Sequence, residues 1–355
     1  MRVASLVLAS GILVSTVVPA ARQWPPYDPS AVLVSRDVYL MGTRAQLSAY
    51  AATRDAGLAS LESALAAIEE AEGELSTWRD SSDISSLNRQ PIGEPWMATP
   101  RLCRMFADVW EWHRATGRAF DPAIGRLLAA WDVHGEGAVP APDAHARALA
   151  SSGMTLVAFD PDRCTLTRLS DVAIDAGAFG KGEALDRAAA VLGDESWMID
   201  LGGQIAVGGR LPPAGGWTVA IADPRRRDRP ALRVRMATGS LSTSAGSERD
   251  LLVNGARIGH IFDPRTGRPA PFNGSVTVWH ERGLAADVLS TALYVMGPDA
   301  GLEWAEARGI AACYLIPERG TLRVETTGAF RRLVQPAGAT PASPLPRPLE
   351  TWFVR

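Results

Sequence analysis

Lysine is almost missing from this chain. Of its 355 residues 36 are basic, and Lys181 is the one lysine among them; the rest are arginine. An arginine bias follows genome composition and says little alone. Yet wherever a generic cation sufficed the chain uses Arg, so the surroundings of Lys181 draw attention. Cysteine is scarce as well. Cys103, Cys164 and Cys313 lie far apart, and no CxxC or Cys/His spacing suggests a zinc site. An exported chain could carry one disulfide among the three; the spacing does not say which, and three reduced, buried cysteines are an equal alternative. A basic excess is absent too. The net charge is −3, which points away from a nucleic-acid partner. Neither a GxxxxGK[ST] loop, a dinucleotide GxGxxG nor a GxSxG elbow occurs, and no internal repeat is visible.

One long apolar run exists, Val3 to Val18, preceded by Arg2 and followed by Pro19-Ala20-Ala21. It falls short of the ~20 apolar residues of a membrane span. A basic start, an apolar middle and a small-residue exit describe a secretory signal. An uncleaved anchor, associating with a membrane through the N-terminus, is the alternative. No cysteine follows the run, which excludes a lipoprotein anchor there. The expected location is therefore exported: periplasmic, or on the outer face of the cytoplasmic membrane. The expected organisation is a signal or anchor over 1–22, a Pro-rich linker over 23–31, a single domain over 32–333 and a Pro/Ala-rich tail over 334–355.

What is present suffices for a sizeable core: 46% of residues are hydrophobic and 21% charged. Val32 to Tyr50 alternates like strands around a Met41-Gly42-Thr43 turn. Leu58, Leu61, Leu65, Ile68 and Leu75 form the stripe of an amphipathic helix, and a polar loop opens at Ser76. Thr99-Pro100 starts a helix that should stop at Gly117. Asp121-Pro122 repeats that signal and should lead a helix toward Trp131. Residues 155–159 and 164–169 read as a hairpin, and 179–192 as a helix ended by Gly193. Strands are expected near 197–201, 204–208, 217–222, 231–237, 274–279 and 310–315, with helices over 284–296 and 299–308. The sum is an α+β fold of mixed sheets flanked by helices.

Five constellations could carry chemistry. Asp175 to Asp186 places Gly177, Gly180, Lys181 and Gly182 where a helix begins, so backbone N–H groups and one ammonium can meet an anion. Asp287 and Thr291 lie four apart on one helix face and are hard oxygen donors of the kind Mg²⁺ or Ca²⁺ accepts, with phosphates completing the shell. His260 stands just ahead of the Asp263-Pro264-Arg265-Thr266-Gly267 turn and can act as a base near neutral pH. Leu241 to Gly246 offers the hydroxyls of Ser242, Thr243 and Ser244. Asp200-Leu201-Gly202-Gly203 ends a strand in a paired-glycine turn.

Taken in order with Ser76-Thr77-Trp78, Ser85 to Asn88, Ala119-Phe120-Asp121-Pro122 and Gly216-Trp217, these motifs resemble the ApbE family of FAD:protein FMN transferases. The resemblance runs from about Met41 to Gly297. It implies transfer of FMN from FAD to a Thr or Ser hydroxyl of an acceptor flavoprotein, through a phosphoester, with release of AMP. It also implies FAD contacts at Met41, Trp78, Ala119, Phe120, Asp121, Asp175, Lys181, His260 and Ile261. A metal, Mg²⁺ or else Ca²⁺, would be held by the Ala178 carbonyl, Asp287 and Thr291, with His260 and Asp287 as the catalytic candidates. The chain departs from the family at Ala245-Gly246-Ser247, where a Gly and then an aromatic are usual; Ala245 demands a more ordinary backbone. Two further readings stay open: an FAD pyrophosphatase with water as acceptor, and a non-enzymatic flavin binder.

Overall fold

The structure is a computed structural model. It describes residues 30–334, apart from 213, 214, 247–249 and 254, and also 352–354. The expected leader, nearly all of the linker and most of the tail lie outside the described residues. Among the described residues no helix is long and apolar enough to cross a membrane.

The alternating segment at the start folds into a hairpin of β1 (Val32–Leu40) and β2 (Thr43–Ala51), paired from Val32↔Ala51 to Leu40↔Thr43. Its two-residue turn, Met41-Gly42, has φ of 50° and 67°. Left-handed conformation at both central positions is the turn that matches strand twist, and Met41 adopts it despite its Cβ. The hairpin begins an eight-stranded sheet continued by β3 (Ser196–Leu201), β4 (Gln204–Gly208), β5 (Gly239–Ala245), β6 (Ser275–His280), β7 (Ala311–Pro317) and β8 (Leu322–Thr326). Every neighbour is antiparallel, and strand order in the sheet is strand order in the chain. The sheet is a meander interrupted by long excursions.

Period-two alternation sorts side chains to its two faces. Leu47, Ile199 and Leu201 pack with Leu61, Leu65 and Ile68 of α1 (Arg54–Leu75) and with Leu185. Met198, Ile205 and Val207 turn the other way, onto a second small sheet built from Trp217–Asp223 and Arg226–Met236. Excursions between strands supply α2 (Pro100–Ala115), α3 (Gly180–Val191) and α4 (Gly283–Met296). The α+β expectation therefore holds. The caps behave as local chemistry dictates: Thr53 accepts from the Ala56 amide and Thr99 from the Leu102 amide, with Pro100 in the first turn.

One expectation needs correction, and two segments are described more closely. Asp121-Pro122 does not start a helix; the next one is Gly125–Ala130, with no side-chain cap. The Asp121 carboxylate accepts instead from the amides of Ala123 and Met154, at 2.9 and 3.1 Å. The carboxylate is shared between a local and a distant amide. The polar loop that opens at Ser76 ends at Ser82, which caps a helix over Asp83–Arg89. Near the C-terminus, Trp352–Val354 runs parallel to Trp217–Asp223 and adds a third strand there.

Two contacts lock the helical side. α3 and α4 cross with their backbones touching. A Cβ on Gly182 would lie 2.3 Å from the Gly283 carbonyl oxygen, and one on Gly283 would lie 2.5 Å from that of Gly182. Asp186 of α3 accepts from the Leu284 amide at 3.1 Å and from that of Gly283, supplying the cap that α4 lacks in its own sequence. Burial pushes the Asp186 carboxyl above its ordinary range, against those two amides and Arg282. The cysteine question is also resolved: Cys103 of α2 is disulfide-bonded to Cys164, on the Val157–Arg168 hairpin, and Cys313 is a buried free thiol.

Gly182→Ala should destabilise the protein by about 2–3 kcal/mol through overpacking. Gly73→Ala, in a helix with nothing within 4 Å of the new methyl, should be neutral or stabilising by up to ~1 kcal/mol. Chemical denaturation of both variants checks the contrast; equal effects would refute the close-crossing account. The double variant Cys103→Ser, Cys164→Ser should lose about 2–4 kcal/mol and reducing agent should then leave its melting temperature unchanged, whereas wild type should soften on reduction.

Candidate functional site

A single cleft of about 1610 Å³ gathers all twelve residues singled out from the sequence. Its floor is the α3–α4 crossing. Lys181 Nζ lies 3.3 Å from each carboxylate oxygen of Asp287, and the Gly182 amide donates to Asp287 Oδ2 at 3.2 Å. Gly182 is the third residue of α3, so its amide has no acceptor within the helix and finds one in Asp287. Ala178, in the turn just ahead of α3, lines the same cleft. Ser242 Oγ reaches Asp287 Oδ1 at 3.4 Å. A ladder of hydroxyls then joins β5 to α4: Ser242 to Ser290 at 3.1 Å, Ser290 to Ser244 at 2.9 Å and Ser244 to Thr291 at 3.5 Å. The Asp287 side chain is 5% exposed and that of Lys181 is 21% exposed, so the ion pair is poorly solvated and geometrically held. Among the described residues no three His, Cys, Asp or Glu side chains gather as a cage. The floor is one carboxylate among neutral oxygens and one ammonium.

One wall is the loop Asp175 to Gly180. Asn88 clamps its base, donating to the Ile174 carbonyl and accepting from the Ile174 amide, both at 2.8 Å. Asp175 accepts from the Gly177 amide at 2.8 Å and from Thr77 at 3.4 Å. The carboxylate thus holds the glycine turn open ahead of the α3 N-terminus. Trp78, beside Thr77, is 70% exposed and meets the His134 ring edge-on at 4.6 Å. His134 Nε2 is 3.6 Å from Asp175 Oδ2. Met41 projects from the strained hairpin turn.

A second wall is Ala119-Phe120-Asp121. These residues expose only 1%, 1% and 7% of their surface, so a ligand meets their edges alone. Asp121 works inward: besides its two amides it faces His113 Nδ1 at 3.4 Å. Burial raises its carboxyl above the ordinary range, while His113 and those amides pull it down. Its part is to fix the loop.

The third wall carries His260 and Ile261. The Asp263–Gly267 turn closes through Gly267 N–H to the Asp263 carbonyl at 2.8 Å, and Trp131 donates to the Gly267 carbonyl at 3.0 Å, pinning the turn to the rest of the domain. His260 Nδ1 sits 2.8 Å from Asp250 Oδ1. Ala245 is the last residue of β5, paired with Ser275 in extended backbone, so the position does not require glycine. Asp250 and His134 have no counterpart among the candidates drawn from the sequence. Each is brought in by tertiary contact, and neither belongs to a spaced motif that could have flagged it.

The sequence profile of the ApbE family matches residues 41–314. The FAD:protein FMN transferase of Treponema pallidum is 30% identical over 310 residues, covering 80% of this chain and 85% of that protein. The FAD:protein FMN transferase of Haemophilus influenzae is 25% identical over 283 residues, with 76% and 82% covered. Among solved structures, the ApbE protein of Thermotoga maritima superposes with a TM-score of 0.79 at 25% identity, covering 86% of this chain and all of that one. The apo flavinyl transferase ApbE of Pseudomonas stutzeri gives 0.75 at 28% identity, covering 85% and 97%. The family match runs from β2 into β7 and takes in the helix crossing and all three walls of the cleft: the chain belongs to the ApbE family.

Proposed function

We propose that this protein transfers FMN from FAD to a threonine or serine hydroxyl of an acceptor flavoprotein, releasing AMP. The observation that carries the reading is the meeting of Lys181, the α3 N-terminus and Asp287 on the floor of one cleft. Relatives of the chain are named FAD:protein FMN transferases. At about 1610 Å³ the cleft exceeds the roughly 300–1,000 Å³ of ordinary small-ligand pockets, leaving room for a dinucleotide and part of an acceptor.

The chemistry is a phosphoryl-type displacement. The acceptor oxygen bonds to the FMN-side phosphorus of the pyrophosphate, and the bond from that phosphorus to the bridging oxygen breaks. AMP leaves with the bridging oxygen, and the hydroxyl proton passes to His260. Such transfers need alignment and charge neutralisation more than a reactive protein group. Lys181 and the amides at the start of α3 bind the phosphates and stabilise the charge of the leaving group. Trp78 offers a face on which a ring of FAD can stack. Asp175 keeps the glycine turn open, Asp121 holds the Ala119-Phe120 edge, and Met41 and Ile261 supply apolar contact.

The residues fit a divalent cation. The Asp287 carboxylate already turns both oxygens toward an ammonium, Ala178 lines the same cleft from the turn ahead of α3, and Thr291 sits one turn along α4. These donors would hold Mg²⁺, with Ca²⁺ as the alternative, and the bound ion would supply neutralisation of the pyrophosphate. One carboxylate among neutral oxygens suits an ion whose shell is completed by phosphate and water. Export is supported by the signal-like leader and by the Cys103–Cys164 disulfide, which persists in oxidising compartments. The acceptor is then a protein exposed on the same side of the membrane.

Incubation with FAD, Mg²⁺ and a flavinylatable acceptor should place covalent flavin on the acceptor, detected by in-gel fluorescence, and release AMP in proportion. Equal AMP release without acceptor would point to hydrolysis, and no covalent flavin under any metal would sink the transferase reading. Asp287→Ala should lower metal-dependent transfer at least ~10³-fold. Lys181→Ala should weaken FAD binding about tenfold, or ~1.4 kcal/mol, with a smaller effect on metal affinity; titration calorimetry separates the two, and unchanged FAD affinity would remove Lys181 from the phosphate site.

A further inference from the structure

Asp250 makes a compact set of contacts around His260. Its Oδ1 lies 2.8 Å from His260 Nδ1 and accepts from the His260 backbone amide at 3.2 Å. Its Oδ2 accepts from Arg257 Nε at 3.0 Å. The Asp250 side chain is 6% exposed and that of His260 is 23% exposed. An ionised carboxylate can only accept, so the short contact to Nδ1 requires the proton on Nδ1. A neutral imidazole protonated there has its basic lone pair on Nε2. The backbone bond from His260 to the same oxygen fixes the ring's base as well as its edge.

We infer that Asp250 is a positioning residue for His260: it selects the Nδ1–H form, aims Nε2 as the base, and stabilises the imidazolium once the acceptor proton has moved. This rests on the transferase reading with His260 taking that proton. The balance is simple: the proton leaves the acceptor oxygen for Nε2, the Nδ1 proton stays where it is, and Asp250 remains ionised throughout.

The charged surroundings support the assignment. Arg257 lies against the far oxygen of Asp250. Tyr294, held by its hydroxyl's bond to the Phe272 carbonyl, has its pKa pushed up to about 12 by burial and by Asp250, so it is neutral at pH 7. Arg227, which pulls Tyr294 the other way, donates to the Gly246 carbonyl. Among the described residues Asp250 is thus the acidic group in hydrogen-bond contact with His260. Removing its charge takes away stabilisation of the imidazolium. Removing Arg257 takes away a cation that opposes it.

Asp250→Asn keeps the shape and removes the charge. Activity should fall roughly 10²-fold in kcat, within the range for a disturbed general base, with the KM for FAD little changed. The rising limb of the pH profile should move to lower pH. Arg257→Gln should move it to higher pH. Nitrogen NMR of histidine-labelled protein, with His260 identified by its loss in His260→Gln, reads the tautomer without turnover. Wild type should show the proton on Nδ1, and Asp250→Asn should weaken that preference. A proton on Nε2 in wild type, or a limb and tautomer unmoved by Asp250→Asn, overturns the proposal. Should Asp250→Asn fail to fold, the wild-type tautomer and the Arg257→Gln shift still decide it. Wild-type rates in His260→Gln would overturn it too, while covalent flavin on the acceptor leaves the transferase reading standing. No covalent flavin with wild type, beside an Nδ1–H ring, would instead defeat the transferase reading.

Discussion

The close approach of α3 and α4 at Gly182 and Gly283 is the constraint on which the site depends. Two helices ordinarily keep their axes 8–10 Å apart because side chains intervene. Here neither residue at the crossing has one. Only that absence lets a backbone amide of α3 bond to a side chain of α4 and brings Lys181 to the same carboxylate. Asp186, one helical turn along α3 from Gly182, completes the arrangement by capping α4. The register of Asp287 and Thr291 against the N-terminal end of α3 is therefore set by backbone contact, the least deformable kind available.

Around that point the walls are built on a common plan. Each is a loop held by an acidic or amide side chain bonding to backbone: Asn88 at Ile174, Asp175 at Gly177, Asp121 at Ala123 and Met154, Asp250 at His260. These groups lend rigidity to segments that lack regular structure, and preorganisation is what a displacement at phosphorus needs most. The Arg-rich composition fits this picture. Arginines mostly serve paired, fixed roles, such as Arg265 with Asp263 and Arg187 with Glu183. The lone lysine stands where a compact, flexible charge is useful.

Local chemistry made much of this readable beforehand. The leucine stripe of α1, the Thr99-Pro100 cap and the alternation of β1 and β2 each depend on residues within a few positions, and each matches the structure. The glycine run at Asp175–Asp186 and the Asp287/Thr291 spacing were readable for the same reason. Asp121-Pro122 misled because its carboxylate bonds to Met154, an amide far along the chain that no local pattern represents. Ser82 was passed over as a cap because its helix is short and its neighbours are polar. Asp250 and His134 have no motif around them, and only packing brings them to His260 and Trp78. The disulfide likewise required knowing that α2 lies against the Val157–Arg168 hairpin.

The order of strands in the sheet has a consequence for how the molecule assembles. β1 with β2, β3 with β4 and β7 with β8 are neighbours joined by short turns, so they can close early and cheaply. β2 with β3 is different: the whole helical excursion from Ala51 to Ser196 must be looped out before that pair zips up. The two glycines also come from opposite sides of β3, β4, β5 and β6, so their helices can meet only after those strands are in line. The nucleotide cleft is thus a late product of folding. Anything that binds it acts on the final docking step, and a chain threaded unfolded across a membrane would acquire its ligand affinity last.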